Sequence, residues 1–317
     1  MPEFQTRDDA LDSQFLAREL ESVKARVWEV KRPPFGAFSL FPQNMDADPG
    51  AETIVWRQTG KTGVAKIIAN TADDLPLVDA YEEENKSDVR SIGVGFRYSN
   101  QDIRAARLAN KPLTARKAMA ARRAVDQKMN QIAFSGDKKH NIRGIFETAN
   151  ANIVVAATAA AAPNGIAWSA ASGKTPDEII EDMFNLVDTP NEASNGVERP
   201  DTLVLPIAAF NYISSTQKSS ASDVTILEFF RRVRPGVTVM SMTEFDSVAN
   251  PPSGAASATS VAMAFTRSDE HLSMEIPMAF TQHAPQNKNL DWTVPCEARF
   301  GGVIVYLPVS IAFMEGI

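Results

Sequence analysis

The sequence predicts an α+β protein, and three observations predict it. A strand at Ile92–Tyr98 leads through a short helix into a long basic helix that closes on a Gly136-Asp137 turn. An alternating ribbon follows Gly50 and carries too little apolar surface to be stable alone. Helix and strand patterns then alternate from residue 150 to 284, the mark of an α/β lobe. No catalytic set surrounds any of these segments, which suggests a part used for building.

Composition narrows the classes further. At 317 residues the chain exceeds the usual single-domain size, so two lobes around separate cores are expected. Net charge is −7, which argues against general adhesion to nucleic acid unless the charge is segregated. No run approaches the roughly 18 uncharged apolar residues a membrane span needs, and the first residues, Met1 to Asp9, lack an apolar signal core. A lone cysteine, Cys296, excludes an internal disulfide, and three scattered histidines make a structural zinc site a poor reading.

The elements follow in order. Residues 10–28 carry Leu16, Leu20, Val23 and Val27 at helical spacing, and Pro33-Pro34 ends any helix there. Phe35, Phe38, Leu40 and Phe41 then read as an extended arm up to the Asp48-Pro-Gly50 turn. Residues 1–50 are therefore expected to lie on something else; the alternative is an N-terminal helix packed on its own domain. From Glu52 to Gln58, Ile54 and Trp56 point one way and Thr53, Val55 and Arg57 the other. Thr59–Gly63 reads as a turn and Val64–Ala69 as the returning strand, with Asp73–Arg90, including Glu82, Glu83 and Glu84, as a polar excursion.

Ser99 or Asn100 caps a short helix that stops before Pro112. The helix from Thr114 to about Phe134, about 30 Å long, has the apolar stripe Ala118, Ala121, Val125, Met129 and Ile132. Its other face bears Arg116, Lys117, Arg122, Arg123 and Lys128. The plain reading is a solvated surface, and the sharper one is a set of partners for acidic groups on an adjacent copy. Residues 149–173 are alanine-rich and read as loop or hairpin with strand character at Ile153–Val155. Thr175-Pro-Asp-Glu178 is a capping box opening a helix that buries Ile179, Ile180, Met183, Phe184 and Val187. Thr202–Leu205 reads as a buried strand, and Asp223 as the cap of a helix stopped by Pro235-Gly236. Strands are expected at Val237–Met242, Ser260–Phe265, Leu272–Met278 and Gly301–Pro308.

Motifs tested for chemistry fail one by one. The triplets Gly60-Lys-Thr62 and Gly173-Lys-Thr175 lack the glycine five positions earlier that a phosphate loop needs; Val55 and Trp168 stand there. Gly93-Val-Gly95 has Tyr98 where a dinucleotide fingerprint wants glycine. His140 reads as a surface loop residue, Cys296 as a buried small residue, and the adjacent Asp73-Asp74 as unsuited to sharing a proton. No catalytic, cofactor-binding or metal-ligating residue is assigned.

Summed in order, the motifs carry a resemblance. They are Phe15-Leu-Ala-Arg-Glu-Leu-Glu-Ser-Val23, Gly50-Ala-Glu-Thr-Ile-Val-Trp-Arg-Gln58, Ala65–Asp79, Ala121–Asp137 and Gly301–Ile317. Across nearly its whole length the chain resembles the major capsid proteins of tailed bacteriophages, the Hong Kong 97-like fold shared with encapsulins. The resemblance implies an N-terminal arm (1–50), an E-loop hairpin (51–98), a P-domain with the long spine helix (99–149 and 285–317) and an α/β A-domain (150–284). It implies a structural, non-enzymatic protein of the virion, self-assembled as pentamers and hexamers in the host cytoplasm into an icosahedral shell around double-stranded DNA. Packaged DNA would be touched weakly and non-specifically, and separate scaffolding, portal and decoration proteins are candidate partners. The start at the arm implies either separate scaffolding or a removed leader. The subunit-contact residues expected are Trp56, Lys61, Lys66, Glu82, Glu83, Glu84, Arg116, Lys117, Arg122 and Arg123, with the glutamates facing a neighbour's arginines. Some members crosslink an E-loop lysine; Lys61 and Lys66 lie in that region, but no partner asparagine is identified and no crosslink is predicted. An encapsulin-type compartment and a cytosolic α/β enzyme are the alternatives.

Overall fold

The computed structural model describes residues 33–67, 77–108, 113–156, 166–169, 173–221, 223–253 and 259–317. The chain divides into two compact units, Met1–Pro34 and Phe35–Ile317. Of the first, only Pro33 and Pro34 are described, so the helix expected over 10–28 lies outside the described residues.

The second unit opens with α1 (Ala37–Leu40) and β1 (Gln43–Asn44), then β2 (Thr53–Thr62), β3 (Asp79–Asp88) and β4 (Arg90–Ser99). Helices α2 (Asn100–Leu108) and α3 (Leu113–Ser135) follow, then β5 (Asn152–Val155), α4 (Pro176–Ala193), β6 (Thr202–Pro206), α5 (Ile207–Ser215) and α6 (Ile226–Val233). The remainder is strand: β7 (Thr238–Met242), β8 (Val261–Phe265), β9 (Leu272–Glu275), β10 (Met278–Gln282), β11 (Gln286–Lys288), β12 (Asp291–Phe300), β13 (Gly302–Val305) and β14 (Ala312–Glu315).

A five-stranded mixed sheet, ordered β5-β14-β8-β6-β7, separates two cores. Strand alternation makes the division: Val204, Met263, Phe265 and Phe313 join the core shared with α1 and α3, while Leu203, Leu205, Ala264 and Met314 join the one under α4, α5 and α6. The two cores that length predicted are therefore two faces of one sheet, not two separate lobes. The chain's last strand, β14, lies inside this sheet between β5 and β8, so 285–317 does not hold together as one structural piece. A smaller sheet, β1-β9-β13, and a second one in which β12 pairs β10, β11 and β4 complete the body.

Several local expectations hold. Ala121, Val125, Met129 and Ile132 are buried along α3. Ser99 caps α2, its hydroxyl accepting from Asp102 N at 3.0 Å. Thr175 and Glu178 form the reciprocal capping box of α4. Others are corrected. Residues 35–41 are not an extended arm: α1 forms there, and Ala37, Leu40 and Phe41 sit in the core, with Asn130 Oδ1 accepting from Ala37 N at 2.9 Å. Thr225, not Asp223, caps α6, accepting from Glu228 N, because it stands directly before the first helical residue. The run at 272–278 breaks into β9 and the start of β10, which leave for different sheets.

The largest correction concerns the ribbon. β2 continues through the expected Thr59–Gly63 turn to Thr62, and Val64–Lys66 are not strand. The return is β3, ten residues in unbroken antiparallel register from Thr53↔Asp88 to Thr62↔Asp79. The acidic run therefore lies in a strand, because cross-strand pairing to Arg57, Gln58 and Thr59 outweighs glutamate's low strand preference. β4, grouped above with the E-loop, instead pairs along its whole length with β12.

Candidate assembly interface

The register of the hairpin fixes which side chains share a face. Ile54, Trp56, Gln58 and Gly60 stand opposite Ser87, Asn85, Glu83 and Tyr81 on one face. Val55, Arg57, Thr59 and Lys61 stand opposite Lys86, Glu84, Glu82 and Ala80 on the other. The first face meets the body at its base. Ser87 Oγ donates to Gly301 O at 3.0 Å, the Trp56 ring meets Tyr306 edge-on at 6.1 Å, and Gln58 Nε2 donates to Tyr306 O.

Further out the hairpin is bare of burial. Residues 61–67 and 77–84 are all exposed. Among them Val64 is 75% exposed, Ile67 103%, Leu77 92% and Val78 73%. Four large apolar side chains are thus exposed at the outer end of one hairpin, where Val64 and Val78 line one shallow depression. The sequence reading missed them as a set, since it took Val64–Ala69 for a strand; the signal was the apolar residues flanking Asp73-Asp74. Those two aspartates lie outside the described residues.

The expected contact residues do not gather in one place. Glu84 is held 3.5 Å from Arg57 across the hairpin, both well exposed, while Glu82 and Glu83 fall on opposite faces. Lys61 is the last but one residue of β2, on the outer face, and Lys66 lies in the tip. On α3, Lys117 Nζ donates to Arg97 O at 2.6 Å and stands 4.0 Å from Asp102. Arg122 lies 3.8 Å from Asp126, and Arg123 stacks over Phe35 at 4.9 Å. Arg116 is exposed. The basic face is thus partly committed within its own chain.

Reactive-looking groups elsewhere are structural. Lys174, from the second Gly-Lys-Thr triplet, is buried in an ion pair with Asp182, which also accepts from Trp168 Nε1 at 3.0 Å. Burial pushes the Cys296 thiol up, as suits a packed apolar side chain beside Val294 and Ala121. His140 is exposed and bonded to Asp137 at 2.9 Å, and this hydrogen bond lowers the Asp137 carboxyl. Among the described residues no group of three or more His, Cys, Asp or Glu could hold a metal ion, and no helix is long and apolar enough to cross a membrane.

Comparison with known proteins places this architecture. The family model described as "Major capsid protein" matches residues 63–317. No curated protein matches the chain. Among solved structures, the capsid of Myoviridae phage XM1 superposes with a TM-score of 0.78 at 16% identity, covering 96% of this chain and 99% of that one. The capsid of an empty GTA particle gives 0.61 at 12% identity, covering 97% and 99%. A virus-like particle from Pyrococcus furiosus gives 0.51 at 11% identity, covering 88% and 91%. The fold is the Hong Kong 97-like capsid fold that the motifs resembled. The hairpin with its bare tip, the long α3 and the central mixed sheet are the parts of a shell subunit, and the chain belongs to the major capsid protein family.

Proposed function

We propose that copies of this chain assemble as pentamers and hexamers into an icosahedral head shell enclosing double-stranded DNA, each hairpin reaching over an adjacent subunit. One observation carries the reading: the hairpin tip exposes Val64, Ile67, Leu77 and Val78, apolar surface that a second copy would remove from water. The work is geometric and needs no reaction. Individually weak contacts, repeated around each subunit, add through effective concentration. The hairpin at 53–88 is the E-loop, α3 and the β4–β12 sheet supply the P-domain, and the central sheet with α4, α5 and α6 supplies the A-domain. A net charge of −7 suits a wall that confines DNA without gripping it. Separate scaffolding, portal and decoration proteins, and assembly in the host cytoplasm before the virion is complete, belong to the same proposal.

The test is expression of the full chain alone, followed by size-exclusion chromatography and negative-stain microscopy. Shells are expected from the parent, and their loss from the triple variant Val64→Ser, Leu77→Ser, Val78→Ser. The variant's own unfolding free energy should stay within about 0.5 kcal/mol, because these side chains are exposed in the isolated chain. A parent that stays monomeric at high concentration, or a variant that forms shells like the parent, would overturn the role given to the tip.

A further inference from the structure

We propose that Tyr306 is the positioning residue of the hairpin, fixing the direction in which the tip is offered to a second copy; this rests on the assembly role given to the tip. Tyr306 directly follows β13, and three of its groups act at once. Its amide donates to His271 O at 2.8 Å, which ties its backbone to the turn before β9. Its carbonyl accepts from Gln58 Nε2, and its ring meets Trp56 edge-on at 6.1 Å and 87°. Gln58 and Trp56 are alternate residues on one face of β2, so the two contacts set both the tilt and the roll of the strand.

The tyrosine is itself held from behind. Its hydroxyl lies 2.8 Å from Ser273 Oγ and donates to Glu275 Oε1 at 3.3 Å. Glu275 is 2% exposed and also accepts from Ser273 Oγ at 2.5 Å and Asn44 Nδ2 at 3.2 Å. A buried carboxylate that takes three donors is a rigid anchor, since losing any one leaves charge under-solvated. Burial, with Glu275 adding to it against the Ser273 hydrogen bond, pushes the Tyr306 phenol up, so the hydroxyl remains a donor. Trp56 Nε1 is buried and has no hydrogen-bond partner among the described residues, so ring packing holds the indole on Tyr306. The chain of contact runs from β1 and β9 through Tyr306 to β2.

Amide hydrogen exchange on the full-length chain tests this, with parent and variants compared in the same assembly state and β4–β12 as the internal reference. Tyr306→Phe keeps the ring and removes the hydroxyl; Tyr306→Ala removes both. Exchange in Thr53–Gln58 and Asn85–Asp88 is expected to quicken about threefold in the first and about tenfold in the second, with β4–β12 unchanged. The protein concentration at which shells appear should rise in the same order. Hairpin exchange at the parent rate in both variants, or hairpin and β4–β12 quickening together, would overturn the assignment. If the alanine variant does not fold, the phenylalanine variant decides alone. Local quickening in the variants, with a parent that forms no shells, supports the positioning role while removing the assembly reading.

Discussion

Two strand pairs of equal length, β2–β3 and β4–β12, follow one another in this chain and meet opposite fates. Each is ten residues long and antiparallel without a break in register. Within each pair the ladder is the same length, and what differs is the surroundings. β12 also pairs β10 and β11 and carries a helix as cover, whereas β2–β3 is a two-stranded sheet. α3 lies on β4–β12, where Val94, Phe96 and Tyr98 pack with Ala121, Val294 and Cys296. The hairpin's inner face begins with Ile54 and Trp56 but continues with Gln58 and Gly60, so its apolar row ends where the body does. A two-stranded ribbon without cover is marginal in water. The difference teaches that ladder pairing alone gives the hairpin its shape, while the residues of its outer half, 61–62 and 79–84, stay exposed.

Two glycines put the sharpest break on this comparison. A Cβ at Gly144 would fall 2.6 Å from Phe134 O and closer still to Gly136 N, both backbone atoms at the buried end of α3. A Cβ at Gly60 would fall 2.6 Å from Tyr81 Cε1, the far end of an exposed side chain that can turn away. The overlaps are alike and the remedies are not. Gly144→Ala should cost about 1–3 kcal/mol or more in chemical denaturation, and Gly60→Ala less than about 0.5 kcal/mol. Equal costs would mean that the hairpin is as tightly packed as the body. Next in size is the reversal of Glu82, Glu83 and Glu84 to lysine. It removes the exposed Arg57–Glu84 pair, which contributes about 0.2–1 kcal/mol, while shell yield should fall if these charges meet a neighbour's basic residues. An unchanged yield would leave the acidic run with only its role within the hairpin.

How much of this was legible in the residues depends on whether the deciding partner was local. The α4 cap could be read because Thr175 and Glu178 satisfy one another within a single turn. The stripe of α3 could be read because helical spacing alone selects Val125, Met129 and Ile132. β3 could not, because Glu82–Glu84 take strand form only through pairing with β2. β14 could not be assigned to the central sheet, since its neighbours β5 and β8 are far away in sequence. α1 reads as an arm from its phenylalanines, and only the core beneath it makes a helical turn. Trp56 was expected at a contact between subunits, and the structure places it at the hairpin base against Tyr306 of its own chain. Tyr306 is a residue the sequence reading did not single out. Its role rests on Gln58 and Glu275, which nothing in the local pattern joins to it.

The smallest effect comes from the helix that covers β4–β12, and its sign separates cover from contact. Asp126 sits half-buried on α3; burial raises its carboxyl pKa, and Arg122 at 3.8 Å only partly opposes this. A group whose folded pKa lies above its unfolded value binds protons more tightly in the folded state. Stability then rises as pH falls through the folded pKa, and the charged form is a cost at neutral pH. Asp126→Asn should therefore raise the denaturation midpoint slightly at neutral pH, with the gap to the parent closing as pH falls and Asp126 takes up its proton. Asp137 gives the opposite slope. Chiefly its hydrogen bond with His140 lowers its folded pKa, so its contribution is present above the unfolded value and is lost as pH falls through the folded one. A gap for Asp126→Asn that stays constant as pH falls would mean that α3 does not shield the carboxyl. The covered sheet would then differ from the bare hairpin less than the burial of Val294 and Cys296 implies.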